Sequence, residues 1–211
     1  MIGILDYNMG NIQSVVNAFE YLGKSVSVIK DISKLAQVDR IVLPGVGAFG
    51  MGIKNLKDLN MVDALNEEVI KNRKPFLGIC LGMQLMCRES FEFGHFYGLG
   101  WIDASVRRLE NKPGLRIPHI GWNNLKIKKH SKIIADNETD LLDVYFVHSY
   151  YVDPVDTSII TATCEYGCEF TAMIEKDNIF AAQFHPEKSQ ARGLDILKKF
   201  SEVNLKCLKG V

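Results

Sequence analysis

Apolar residues along this chain keep two rhythms. Up to about residue 80, short apolar runs alternate with stretches whose apolar positions recur every three or four residues. The runs at 2–5, 26–29, 41–43 and 75–79 are of the kind that fill a sheet buried on both faces. After the first run Ile12, Val15, Val16, Phe19 and Leu22 trace one helix face, with Asn11 placed to cap the helix and Gly23 to end it. A short helical piece is predicted near 31–36, and Val62, Leu65, Val69 and Ile70 mark an amphipathic helix ending near Asn72. This order of elements predicts an α/β fold with a doubly wound, mostly parallel central sheet.

Beyond residue 90 the rhythm shortens. The stretch 90–100 reads as a loop, and β-like runs follow at 105–109, 124–127, 144–147, 159–164, 171–174 and 179–184. Asp177-Asn178 is a hairpin-turn candidate, and such short connections predict antiparallel additions to the sheet. Leu194, Leu197, Leu205 and Leu208 fall on one face of a closing helix, with Phe200 at its edge. There is no repeat, low-complexity tract or linker, so residues 1–211 are read as a single domain.

Composition narrows the function classes. Lys+Arg and Asp+Glu both number 25, a balance that argues against a general binder of nucleic acid or membrane surfaces. A net charge of zero also suits a subunit that lives in a complex. No apolar run approaches the ~20 residues of a membrane span, and the first residues lack the pattern of an export signal. The five cysteines have no framework spacing, so free thiols in a reducing cytoplasm are expected. Cys164 and Cys168 lack a second pair or a nearby His to complete a zinc set; no metal and no cofactor is expected.

Candidate chemistry centres on Gly78-Ile79-Cys80-Leu81-Gly82. A cysteine between two such glycines, where a strand meets a helix, has the spacing of a nucleophile elbow. The turn strains its central residue, and the glycines remove the clashes. The side chain then emerges at the sheet edge over a helix start predicted to run from Leu81 to about Cys87, where backbone N–H groups favour a thiolate. A thiolate nucleophile needs a base and an orienting group. Among five histidines, His185 follows a strand whose end shares the rim with Cys80, and Glu187 can reach back to its ring across Pro186. A glycine-rich segment, 44–50, follows the third strand and is read as a loop turning its N–H groups toward a bound group.

Pro44-Gly45-Val46-Gly47, the elbow through Gln84, and Phe184-His185-Pro186-Glu187 resemble the class I, or triad, glutamine amidotransferases. Asp6 to Asn11, Met83, Pro118 to Asn123, Phe146 to Tyr150 and His185 to Ser189 resemble, within that family, the glutaminase subunits of imidazole glycerol phosphate synthases. The resemblance implies a Cys80–His185–Glu187 triad that hydrolyses L-glutamine through a thioester. It implies oxyanion donors from the backbone of Leu81 and of Val46 or Gly47. It also implies glutamine anchors at Gly47, Gln84, Glu92, His148, Ser149 and Tyr150, with His148 not the base. The ammonia would pass to a docked (β/α)₈ cyclase subunit of histidine synthesis, forming a heterodimer near Asn11, Trp122, Tyr145 and Lys188. The peptide at 44–47 is expected to complete the oxyanion site only when the partner is loaded. Two other readings remain at this point: a paralogous glutaminase serving another acceptor, as in surface-saccharide assembly, and a triad-bearing scaffold that only binds a partner.

Overall fold

The structure is a computed structural model and describes residues 1–134 and 142–203. Among the described residues thirteen strands join one sheet. Its central path runs β2 (Val26–Ile29), β1 (Ile2–Leu5), β3 (Arg40–Gly45), β4 (Phe76–Cys80), β13 (Ile179–Ala182), all parallel. It continues through β12 (Glu169–Lys176), β10 (Tyr150–Pro154), β7 (Ile102–Arg108), β5 (Cys87–Ser90) and β6 (Phe96–Tyr97), mostly antiparallel. A branch of β11 (Ile160–Glu165), β8 (His119–Ile127) and β9 (Leu142–His148) leaves β12, again antiparallel.

The apolar runs of β1, β3, β4 and β13 are continuous because both faces of these strands are covered, whereas the edge strand β2 leaves Val28 exposed. Ile2 and Ile4, Val42, Leu77 and Ile79, and Phe180 and Ala182 face one core, which takes Val15 and Phe19 of α1 (Ile12–Tyr21) and Leu197 and Phe200 of α5 (Gln190–Glu202). Leu5, Ile41 and Leu43, Phe76, and Ile179 and Ala181 face the other, which takes residues of α2 (Phe49–Asp58), α3 (Met61–Leu65) and α4 (Leu81–Leu85). That alternation is the period-two geometry of a strand.

Helix α1 ends as its sequence suggests. Gly23 takes φ +69°, its N–H bonds to Glu20 O, and the Lys24 N–H bonds back to Phe19 O, the paired closure of a Schellman motif. Phe200 is fully buried in the core with Leu197; Leu205 and Leu208 lie outside the described residues.

Three elements differ from expectation. The segment 44–50 is not one loop: Pro44 and Gly45 finish β3, and Phe49 opens α2. Phe49, Gly52, Ile53 and Leu56 form the buried stripe of that helix, and Gly52 lets it approach Leu81 and Leu85 of α4. The helix predicted toward Asn72 passes at Asn66–Lys71 into a wider turn, with the Asn72 N–H bonded to Glu67 O. The elbow helix stops at Leu85, and 87–97 holds β5 and β6 instead of helix end and loop. The returning chain explains the stop. Leu99 N takes Leu85 O, Trp101 N takes Met86 O and Gly100 N takes Cys87 O, carbonyls that a longer helix would have kept for itself.

Among the described residues no helix is long and apolar enough to cross a membrane.

Candidate active site

Cys80 ends β4 at φ 53° and ψ −108°, a strained conformation for a residue with a side chain. The flanking glycines are required by close backbone approach. A Cβ on Gly78 would lie 2.8 Å from Gly82 O, and one on Gly82 would lie 1.8 Å from Leu43 O. The next strand, β3, pairs Gly45 with Cys80, so the end of the Pro44–Gly47 segment sits beside the sulfur. Val46 and Gly47 are exposed there, Gly47 with φ +115°. The N–H of Leu81 opens α4. That helix has five residues, so its first N–H groups rather than a long dipole act at this spot.

His185 follows β13, the other neighbour of β4. Its N–H is anchored on Tyr145 O at 2.9 Å. Its Nδ1 meets Glu187 Oε1 at 2.8 Å, and both side chains are 3 % exposed. The carboxylate holds the proton on Nδ1 and leaves Nε2 for Cys80. Nε2 is buried without a hydrogen bond of good geometry, an arrangement common in ligand-free sites. Burial alone would lower the pKa of His185; interaction with Cys80 and Glu187 outweighs it and raises the pKa to about 10. The imidazole is therefore held protonated at neutral pH, and Cys80 Sγ lies 3.9 Å from Val147 O.

A cavity of about 450 Å³ opens on the sulfur. Val46, Gly47, Cys80, Leu81, Gln84, Glu92, His148, Ser149 and Tyr150 all line it, together with Phe93, 85 % exposed at its mouth. Gln84 donates from Nε2 to Tyr150 O at 3.0 Å and to Gln183 Oε1 at 3.1 Å, which leaves its own Oε1 as the acceptor for a ligand. Glu92 Oε2 accepts from the Phe49 N–H at 2.6 Å, and burial raises its pKa. A cation bound beside Glu92 would offset that desolvation.

His148 offers the cavity no free nitrogen. Its Nδ1 donates to Tyr150 O at 2.9 Å, and its Nε2 accepts from His119 Nδ1 at 3.0 Å. His119 is also clasped between Phe146 and Tyr166, with ring centroids at 4.8 and 3.8 Å. Burial lowers the pKa of His119 to about 4 and that of His148 to about 3, so both are neutral.

Asn11, Trp122 and Lys188 are exposed and Tyr145 is half-buried; the Trp122 and Tyr145 rings meet edge-on at 6.0 Å across β8 and β9. Among the described residues no cluster of His, Cys, Asp or Glu is arranged to hold a metal ion.

Two residues escaped the sequence. Gln183, fully buried, donates from Nε2 to Cys80 Sγ at 3.7 Å; its position two before His185 is the signal that could have found it. Tyr7 is fully buried with its hydroxyl unpartnered, in the space that a Cβ on Gly45 would need. Burial, and then the nearby Cys80, raise its pKa. No spacing in the sequence points to that contact.

Residues 3–203 match the family described as glutamine amidotransferase class-I, and the chain belongs to that family of glutamine-using enzymes. Among curated proteins, it is 49% identical over 207 residues to imidazole glycerol phosphate synthase subunit HisH of Geobacter sulfurreducens, covering 96% of this chain and 98% of that one. It is 48% identical over 199 residues to the subunit of the same name from Aquifex aeolicus, covering 93% and 94%. A solved structure described as a glutamine amidotransferase superposes with a TM-score of 0.74 at 18% identity, over 95% of this chain and 97% of that one, which shows a shared fold.

Proposed function

We propose that this chain is the glutaminase subunit of an imidazole glycerol phosphate synthase, a single domain acting in the cytoplasm with a docked (β/α)₈ cyclase. The observation that carries this reading is the meeting of Cys80, at its strained elbow, with the buried His185–Glu187 pair at the end of the neighbouring strand. The near-complete match to subunits of that name favours the histidine pathway over a paralogous acceptor.

In this mechanism the Cys80 thiolate attacks the side-chain carbonyl carbon of glutamine. The oxyanion is received by the N–H groups of Leu81 and of Val46 or Gly47; one such donor typically contributes roughly 10²–10³ in turnover. His185 gives its Nε2 proton to the leaving ammonia, and a thioester remains on Cys80. Water, deprotonated by the same nitrogen, attacks the thioester; glutamate departs and the sulfur recovers its charge. Glu187 keeps the ring oriented through both steps. Gln84 Oε1 and the Glu92 carboxylate suit the substrate's ammonium, while Gly47 and the backbone of His148, Ser149 and Tyr150 frame the rest of the amino acid.

Free ammonia is mostly protonated in neutral water and then no longer nucleophilic. The partner must therefore cover the rim, over the surface bearing Asn11, Trp122, Tyr145 and Lys188. The ring-forming, bond-breaking chemistry belongs to that partner; this chain supplies nitrogen. The test is Cys80→Ala in the complex. Glutamine-driven synthesis should vanish while synthesis from added ammonium persists; a variant that still uses glutamine overturns the reading.

A further inference from the structure

Behind the cavity lies a chain of side-chain amides that the reaction as described above does not use. Tyr150 O accepts from Gln84 Nε2 at 3.0 Å, Gln183 Oε1 accepts from the same Nε2 at 3.1 Å, and Gln183 Nε2 points at Cys80 Sγ from 3.7 Å. The order fixes the amide orientation of Gln183. Its oxygen is committed to Gln84, so its nitrogen faces the sulfur. Gln183 is fully buried, and it does not line the cavity. Its backbone N–H is bonded to Ala172 O at 2.9 Å, which ties the residue to the β12–β13 ladder just before His185. Among the described residues, Gln84 takes the amide's oxygen and the sulfur is the partner of its nitrogen.

We infer that Gln183 is a positioning residue for the nucleophile: its amide N–H holds the Cys80 thiolate, and Gln84 holds Gln183. The inference rests on the reading of Cys80 as the nucleophile. A hydrogen bond to an ionised group contributes more than a neutral one, and a sulfur that swings about its Cα–Cβ bond is kept aimed at the cavity by a fixed donor. Gln84 then has two tasks. Its oxygen faces a substrate while its nitrogen steadies the donor behind the sulfur, so recognition and nucleophile share one side chain. The other titratable groups near the sulfur are His185, backed by Glu187, and Tyr7; His148 is next in reach through His185. Among the described residues the Tyr7 hydroxyl and His185 Nε2 make no hydrogen bond, whereas Gln183 Nε2 reaches the sulfur.

Gln183→Met keeps the volume and removes both the donor to the sulfur and the acceptor for Gln84 Nε2, which keeps its bond to Tyr150 O. In the complex, kcat for glutamine should fall about 10- to 100-fold, the range for a hydrogen bond to a charged group, with KM for glutamine within about twofold. Iodoacetamide should also alkylate Cys80 more slowly at neutral pH, with the midpoint of the alkylation rate shifted to higher pH. A folded Gln183→Met protein with unchanged kcat and an unchanged alkylation profile overturns the inference. A variant that does not fold is replaced by a measurement on the unaltered chain. There the side-chain amide resonance of Gln183 should follow the titration of the sulfur and lose that step in Cys80→Ala; an amide blind to the sulfur overturns it too. Alkylation reads the sulfur whether or not glutamine is turned over. A shifted alkylation profile in a complex that never consumes glutamine therefore leaves this inference standing and removes the glutaminase reading.

Discussion

Strands β2, β1, β3, β4 and β13 run parallel and end at one rim, whereas β12, β10 and β7 reverse on one another beside them. The parallel half presents Cys80 and His185, on adjoining strand ends, and the proposed oxyanion segment after β3. Beyond β13 in the sheet order, the end of β9, the start of β10 and the loop after β5 bring His148, Ser149, Tyr150 and Glu92 to the same cavity. Parallel strands place successive C-terminal ends side by side, which suits groups that must exchange a proton. Antiparallel strands return quickly and build a wall of varied polar groups, which suits recognition. Under the proposed function, that division sets reaction and selectivity on different parts of one sheet.

The largest test of that division is at His185. His185→Ala should lower kcat for glutamine by about 10⁴-fold or more, as loss of a triad base does. Stopped-turnover glutamate release would measure it, and a loss under tenfold would move the base elsewhere. Gly82→Ala comes next: with a Cβ 1.8 Å from Leu43 O, the elbow must shift, at about 3 kcal/mol or more of stability. Urea unfolding would read that loss, and an unchanged midpoint would show that the glycine is not needed. On the other wall, Glu92→Gln should raise KM for glutamine about 10- to 100-fold, the worth of one charge-assisted contact, and leave kcat nearly intact. A fall in kcat at constant KM would break the division between the halves.

The two halves also respond to pH with opposite sign. His119 and His148 have depressed folded pKa values of about 4 and about 3. Between these and the unfolded value of about 6.5 the unfolded chain binds protons that the fold refuses, so stability falls as pH falls through that window. His185 is raised to about 10. Its contribution is full below about 6.5 and is lost as pH rises toward and through 10. Urea midpoints across pH 4 to 10 should therefore peak near neutrality, and His148→Asn should flatten the acid side alone. The smallest expected effect is Tyr7→Phe. Deleting a buried hydroxyl with no partner should leave the melting temperature equal or slightly higher; a marked drop would reveal a bond that this hydroxyl makes.

The parallel half was the more legible in sequence, for a physical reason. A strand buried on both faces is apolar throughout, so β1, β3 and β4 announced themselves as runs; the edge strand β2, with Val28 exposed, was found by its β-branched residues. The elbow was legible because only glycine fits beside Cys80, and the His185-Pro186-Glu187 turn because the contact is local. Helix α2 was hidden by Gly50 and Gly52, which lower helix propensity but permit close packing, Gly50 against Phe96 of β6 and Gly52 against α4. The end of α4 was hidden because distant N–H groups, from residues 99 to 101, decide it. Contacts such as Glu92 with the Phe49 N–H join residues far apart in the chain, and no local pattern encodes them.

The in-register pairing of Gly45 with Cys80 has a consequence for heat. Sulfur and proposed donor segment hang from adjacent rungs of one backbone lattice, so warming shakes them as a pair and their spacing survives until the lattice itself gives way. Inactivation on a temperature ramp should then coincide with loss of strand signal in the infrared, where a pocket assembled from separate loops would fail many degrees sooner.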